Sequence, residues 1–261
     1  MAKIILSFLC STIIVLSSYT PLHTNHTQKL RTIVIDAGHG GKDPGCLGSK
    51  SKEAEVALET ALELGRILKE NIPDVKIIYT RSTNRFVELY ERAKIANKNA
   101  ADLFISIHCN SGPSAARGTE TFVMGAHKEE QSLEVAKKEN SAILFEADYQ
   151  ANYDGFDPNS DEQYILLENL VSAHNNQSIN LATKIQDQFE TRVGLKSRGV
   201  KQAGLLVLWR SAMPSVLVEI GFLSNKKDEE YLNKESNRVY VASAIYRAVK
   251  EYKGELESGN N

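Results

Sequence analysis

Short apolar, β-branched runs alternate with amphipathic helical stretches along most of this chain, and that alternation restricts the folds open to it. "TIVID" is compact and β-branched and reads as a buried strand. After a loop, Val56, Leu58, Ala61, Leu62, Leu64, Ile67 and Leu68 recur near helical spacing, and "VKIIYT" follows as a second strand. The unit repeats through a helix around Leu89 to Asn97, then "LFISIH", then "TETFVM" after Gly118. "LLVLW" and "SVLVEI" read as later strands. Ile179, Ala182, Ile185, Phe189 and Val193 mark one further core-facing helix, and Val239, Ala242, Ile245, Val249 and Tyr252 another. This succession predicts an α/β fold, a three-layer sandwich with a mostly parallel central sheet flanked by helices.

A chain of 261 residues with net charge -2 fits one domain with a substantial core, and it offers no bulk field for a nucleic acid. Residues 1–20 hold one lysine, an apolar core and small residues, the form of a signal peptide cleaved near Ser17 to Thr20. The apolar run is too short and serine-diluted for a transmembrane span, so the mature chain is expected to be exported without one. Leu9 before Cys10 argues against lipidation. Residues 21–30 read as a polar linker with His23 and His26 as solvated bystanders. Residues 31–254 form the expected catalytic domain, and 255–261 a frayed tail. Cys46 and Cys109 are too few for a disulfide framework and read as two separate buried thiols, although a single bridge is open to them. Between about Ala126 and Gln177 the periodicity lapses, which predicts a functional loop, a lid or a disordered insert.

Ligands of such sheets sit beyond the carboxyl ends of the strands. His39 in "AGHGG" follows the first strand, His108 ends "LFISI", and Glu219 ends "SVLV", while Glu53 opens the first helix. Two imidazoles and a carboxylate make a catalytic zinc set with a fourth position for water, and Glu219 in an apolar strand suits a general base. The residues alone leave open a helix-start role for Glu53, favoured by the helix dipole, and a buried salt-bridged role for Glu219.

"IVIDAGHGGKDPG", "TRSTNRFVELYERAKIANKNAADLFISIHCNS", "ARGTETFVMG" and "MPSVLVEIGFLSN" together resemble the zinc-dependent N-acetylmuramoyl-L-alanine amidases of bacterial cell walls, in order across roughly residues 31 to 250. The resemblance implies peptidoglycan as substrate, cleavage between the lactyl group of N-acetylmuramic acid and L-alanine, and a periplasmic or wall-associated enzyme of wall remodelling or daughter-cell separation. It implies His39, Glu53 and His108 as ligands of one Zn2+ and Glu219 as the catalytic glutamate. Glu53 is preferred to Glu55, which falls inside the first turn. Ala37 and Asn84 depart from the family's frequent proline and aspartate and bear on loop rigidity.

In some related amidases a segment at the position of residues 126–177 covers the site, and its glutamate fills the metal's open position until an activator protein displaces it. Glu139, Glu146 and Glu168 are the candidates here; a passive surface insertion is the competing reading. Asn110 is a candidate substrate contact, against a turn-forming role, and Arg92 and Arg210 are candidates for stem-peptide carboxylates, against the commoner solvated or structural salt-bridged role. A zinc cell-wall peptidase or carboxypeptidase and a non-catalytic peptidoglycan-binding protein are the alternative functions.

Overall fold

The computed structural model describes residues 28–170 and 173–259. The signal peptide, most of the linker with His23 and His26, Cys10, and the last two residues of the tail lie outside them. Six strands, β1 (Thr32–Ala37), β2 (Lys76–Tyr79), β3 (Leu103–Asn110), β4 (Thr119–Met124), β5 (Ser197–Ala203) and β6 (Ser215–Phe222), form one sheet in the order β2-β1-β3-β6-β4-β5. All neighbours run parallel except β4 and β6, which are antiparallel. The mostly parallel sheet of the sequence reading is therefore present.

Helices cover both faces. Ile33, Ile35 and Ala37 of β1, Ile105 and Ile107 of β3, and Val216 and Val218 of β6 pack with α1 (Glu53–Asn71), α6 (Asn175–Gln188) and α9 (Glu235–Ser258). Val34, Phe104, Phe122 and Leu217, which alternate with them, pack on the opposite face. That face is covered by α2 (Leu89–Lys98), α3 (Glu130–Asn140), α5 (Asp161–Glu168) and the one-turn α7 (Leu206–Trp209). The central strands are buried on both sides, which is why they read as nearly continuous apolar runs.

The segment from 126 to 177 is not irregular. It holds α3, a 3-10 turn (Ser141–Phe145), the short α4 (Tyr149–Asn152) and α5. Ile143, Tyr153, Tyr164 and Leu167 from it are buried in the second core. Burying each such side chain contributes about 1.5–3 kcal/mol, so this cover is part of the fold. Its helices are short, and mixed polarity masks their period.

Two further expectations are corrected, and one strand is added. "LLVLW" is largely the helix α7, because a short apolar run buried all round carries no period that separates strand from helix. The edge strand β5, "SRGVKQA", went unread because a strand with one neighbour and half-exposed residues lacks the apolar run of a central one. The tail does not fray at 255: α9 continues to Ser258, with Leu256 buried and Lys184 paired to Glu255. Last in chain order before α9 comes α8 (Lys226–Leu232), capped by Asn225, whose side-chain oxygen accepts from the amides of Lys227 and Asp228.

Candidate active site

Four side chains converge at the carboxyl ends of β1 and β3. His39 follows β1 in the left-handed region, at φ 57°. Its Nδ1 lies 2.8 Å from Asp43 Oδ2, so that nitrogen donates to the carboxylate and Nε2 is turned into the cluster. Nε2 is 3.0 Å from Glu53 Oε1 and 3.2 Å from Glu139 Oε2, yet it makes no hydrogen bond with either. The neighbouring Gly38 has to be glycine, since a Cβ there would lie 2.4 Å from the His108 ring.

Glu53 is brought in by the loop before α1, where its own amide donates to Cys46 O at 3.0 Å. Its carboxylate is fixed from both sides, with Oε2 accepting from Cys46 N at 2.8 Å and Oε1 from Cys109 N at 3.0 Å. Gly45, at φ 65°, passes so close that a Cβ would lie 2.6 Å from Glu53 Oε2.

His108 presents the other ring nitrogen. Its Nδ1 lies 3.0 Å from Glu53 Oε1 and 2.7 Å from Glu139 Oε2. Its Nε2 lies 3.1 Å from Ser106 Oγ, and that hydroxyl donates to Asp36 Oδ2 at 2.6 Å. A hydroxyl that has given its proton to a carboxylate accepts from the ring, so Nε2 carries a proton and Nδ1 is the nitrogen turned into the cluster. Asp36 is fully buried. It also accepts from Thr80 Oγ1 at 2.5 Å and from Arg92 at 2.9 Å. Burial works against its charge, but Arg92, Ser106 and Thr80 outweigh that and hold its carboxyl below the usual range.

One ligand atom from each of His39, Glu53, His108 and Glu139 lies within 4.8 Å of the others, and all four residues are buried. Four donors on a tetrahedral zinc would be about 3.3 Å apart, and the four imidazole–carboxylate separations here are 2.7–3.2 Å. Burial opposes charge throughout the cluster. Even so, Glu53 and Glu139 hold the His39 proton well above its ordinary range and that of His108 up to about 9, while the imidazoles hold both carboxylates down. Carboxylates that draw protons onto two buried imidazoles form a site suited to a dication, which would take the place of those protons. The donor set therefore fits a metal.

Glu219 sits beside the cluster as the register partner of His108 on β6. It is completely buried and neither oxygen has a hydrogen-bond partner among the described residues. Burial, followed by the charges of Glu139, Glu53 and Glu120, pushes its carboxyl well above the ordinary range. A cavity of about 340 Å³ opens onto the cluster, with Lys138, Glu139, Ala142 and Phe145 of the covering segment as one wall.

Of the three candidate glutamates in that segment, only Glu139 reaches the cluster. Glu146 caps α2, accepting from Leu89 N at 2.8 Å, and Glu168 pairs with His127. Arg92 is buried and spent on Asp36 and the carbonyls of Ala37, His39 and Val87, so it braces the loop rather than facing a substrate. Arg210 pairs with Asp154 and stacks on Trp209, away from the cavity. Asn110 is buried, its amide donating to Glu120 and its oxygen accepting from Ser111 N. Asn84 ties the histidine loop by accepting from Gly41 N at 2.8 Å. Cys46 and Cys109 are free thiols, and Cys46 donates to Cys109 O at 3.0 Å. Asp43, Ser106 and Asp36 were missed as ligand supports. Only the four-residue spacing from His39 to Asp43 could have signalled one of them.

Residues 33–251 match the family model for N-acetylmuramoyl-L-alanine amidase. The chain belongs to that family. It is 33% identical over 227 residues to the N-acetylmuramoyl-L-alanine amidase AmiA of Escherichia coli (strain K12), covering 85% of this chain and 76% of that one. The catalytic domain of the amidase CwlV from Bacillus (Paenibacillus) polymyxa var. colistinus superposes with TM-score 0.58 at 31% identity, covering 85% of this chain and 97% of that one. The CwlD amidase of Clostridioides difficile, solved in complex with the GerS lipoprotein, superposes with TM-score 0.61 at 25% identity over 85% of this chain and 98% of that one. An amidase of this family acts on peptidoglycan, and the match favours that activity over the peptidase and silent-binder readings. No helix among the described residues is long and apolar enough to cross a membrane.

Proposed function

We propose that this amidase is zinc-dependent, is exported to the cell wall, and is restrained by its own Glu139. The convergence of His39 Nε2, Glu53, His108 Nδ1 and Glu139 beside an unpartnered, buried Glu219 carries the reading. Zinc bound by His39, Glu53 and His108 would supply Lewis-acid stabilisation of charge on the amide oxygen and acidify water. The remaining work belongs to the protein. With the metal bound in place of the inward protons, Asp43 and Ser106 would keep the remaining ring protons on the far nitrogens, so that both lone pairs face the cluster. A Glu219 carboxylate oxygen takes the proton of the attacking water and then delivers it to the alanine nitrogen as the C–N bond breaks. Its raised proton affinity suits the second task, because an amine leaves slowly unless protonated.

Glu139 fills the fourth position of that set, and a substrate has to displace it. Withdrawal of α3 by a protein partner would free the position; the CwlD relative, solved with a lipoprotein, supports a protein in that role. Wall turnover during cell separation is the process such a restraint fits.

The test is release of soluble peptide from purified sacculi, followed by mass analysis, with the zinc-loaded and chelator-stripped chain and with Glu139→Ala. Zinc-dependent release of whole stem peptides with an L-alanine amino terminus is expected, greater for Glu139→Ala. Shortened stems, or release indifferent to chelation, would overturn it.

A further inference from the structure

A second groove of about 600 Å³ adjoins the metal cavity, sharing Ser111 and Lys138 with it. Its floor includes Glu120, Phe122, Arg198 and Phe222, and its α3 side carries Glu129, Glu130 and Glu134, so that Arg198 and Lys138 are the cations of an otherwise acidic groove. The floor continues the catalytic centre directly, since Glu120 on β4 is the register partner of Glu219 on β6. Whatever extends from the bond beside Glu219 has this groove as its neighbour.

The groove holds a built ionic network. Glu120 is 4% exposed, and both its oxygens are used, one by Arg198 Nε at 2.7 Å and one by Asn110 Nδ2 at 2.8 Å. Asn110 is in turn fixed by Ser111 N at 2.7 Å. The Arg198 guanidinium lies 5.3 Å above the Phe222 ring, which sets its plane. Anchoring through Nε leaves the two Nη groups. Nη2 makes a long 3.3 Å bond to Gln131 Oε1 of α3, and Nη1 has no hydrogen-bond partner among the described residues. A guanidinium held at Nε, with its other edge little used, is a preset fork for a carboxylate. Phe122 and Phe222 supply an apolar surface beside it for methyl and methylene groups.

The two halves of the substrate differ in this chemistry. The stem peptide carries free carboxylates and aliphatic side chains, whereas the glycan at the scissile bond offers hydroxyls and acetamides. We propose that this groove receives the stem peptide and that Arg198, set by Glu120 and Asn110, pairs with one of its carboxylates and so determines which stems are accepted. Gln131 Oε1 stands where a carboxylate oxygen would go, so α3 covers this position as Glu139 covers the metal's. Asn110 acts through Glu120 as a positioning residue. The inference rests on the amidase reading.

Binding separates this inference from that reading, because it requires no turnover. Calorimetry uses the full zinc-loaded chain and its Glu139→Ala form. The ligands are the tripeptide L-Ala-γ-D-Glu-L-Lys and the same peptide with the glutamate α-carboxylate amidated. The acid form is expected to bind about tenfold to a hundredfold more tightly, as for a charge-assisted pair. Arg198→Gln keeps a donor for Glu120 but removes the charge, and is expected to bind both peptides alike with unchanged zinc content. Arg198→Lys is expected to restore only part of the preference. In turnover, Arg198→Gln should raise KM for acid stems and leave kcat within about threefold. An acid preference that survives Arg198→Gln, or no binding of either peptide to either form of the chain, overturns the proposal.

Discussion

Glu139 Oε2 lies nearer to His108 Nδ1, at 2.7 Å, than does Oε1 of Glu53, at 3.0 Å. The carboxylate from the covering helix thus sits as deep in the cluster as the one from the body of the domain. Removing it opens a position without touching His39, Glu53 or His108. Glu139→Ala is expected to raise amidase turnover on sacculi by about tenfold or more, since occupancy of a blocked state divides the apparent activity, and to weaken zinc binding modestly. Competition with a fluorescent chelator and peptide release measure the two effects. Turnover equal to that of the unaltered chain would show that Glu139 is not the restraint.

Glu219 has no hydrogen-bond partner for either oxygen among the described residues. Glu219→Gln keeps the shape and removes proton transfer, so turnover should fall about a hundredfold to ten-thousandfold while zinc content stays at one per chain by atomic absorption. Loss of zinc together with activity would instead make Glu219 part of the metal site.

Ser106 links His108 to Asp36 through hydrogen bonds of 3.1 and 2.6 Å. Ser106→Ala frees the ring to turn and to shift its proton. Zinc affinity should drop about tenfold to a hundredfold, as for other supports of metal-bound histidines. An unchanged affinity by chelator competition would remove Ser106 from the ligand set's support.

Asp36 and Arg92 are a fully buried ion pair at 2.9 Å. Arg92→Met leaves the Asp36 charge with only two hydroxyls and should cost about 3–5 kcal/mol by urea unfolding. A loss under about 1 kcal/mol would mean that Thr80 and Ser106 satisfy Asp36 by themselves.

Glu229 of α8 staples the loop that leads into Glu53. It accepts from Ser49 Oγ at 2.5 Å, Lys50 N at 2.7 Å and Ser51 Oγ at 2.9 Å. Burial opposes its charge, but these donors carry its pKa from 4.5 down to about 2. A depressed carboxylate contributes stability that is fully present above its unfolded value and is lost as pH falls through the folded one. Glu229→Gln should therefore be less stable than the natural chain by about 1–3 kcal/mol at pH 7, and the gap should close between pH 4.5 and about 2. A gap independent of pH across that window would contradict the staple's ionic character.

His39, His108 and Glu219 were legible because each terminates an apolar run, and strand ends in a parallel sheet meet at one edge. Glu53 became legible only through the family resemblance, which picks out the glutamate that opens the first helix. The supports were not, since Ser106 precedes His108 by two residues in a strand and nothing local distinguishes it from a packing serine. Glu139, Glu146 and Glu168 looked alike in sequence because which one reaches the cluster depends on how α3 packs through Val135 and Ala136 on a core assembled from distant strands. Arg92 and Arg210 take the structural, salt-bridged role that the sequence reading preferred for them. Arg92 lies in a recognised motif and is wholly internal, whereas Arg198 lies on a polar edge strand that carried no signal.

The single reversal in the sheet has a consequence for how this enzyme can change. Because β4 runs against β6 and β5 follows β4, the starts of the last two strands, at Glu120 and Arg198, lie on the same edge as the ends of the strands that carry His108 and Glu219. On the proposed roles, bond cleavage and substrate choice reside on separate stretches of chain that share one rim, so substitutions at 119–121 or 197–199 would alter which stems are accepted while the reacting groups stay fixed.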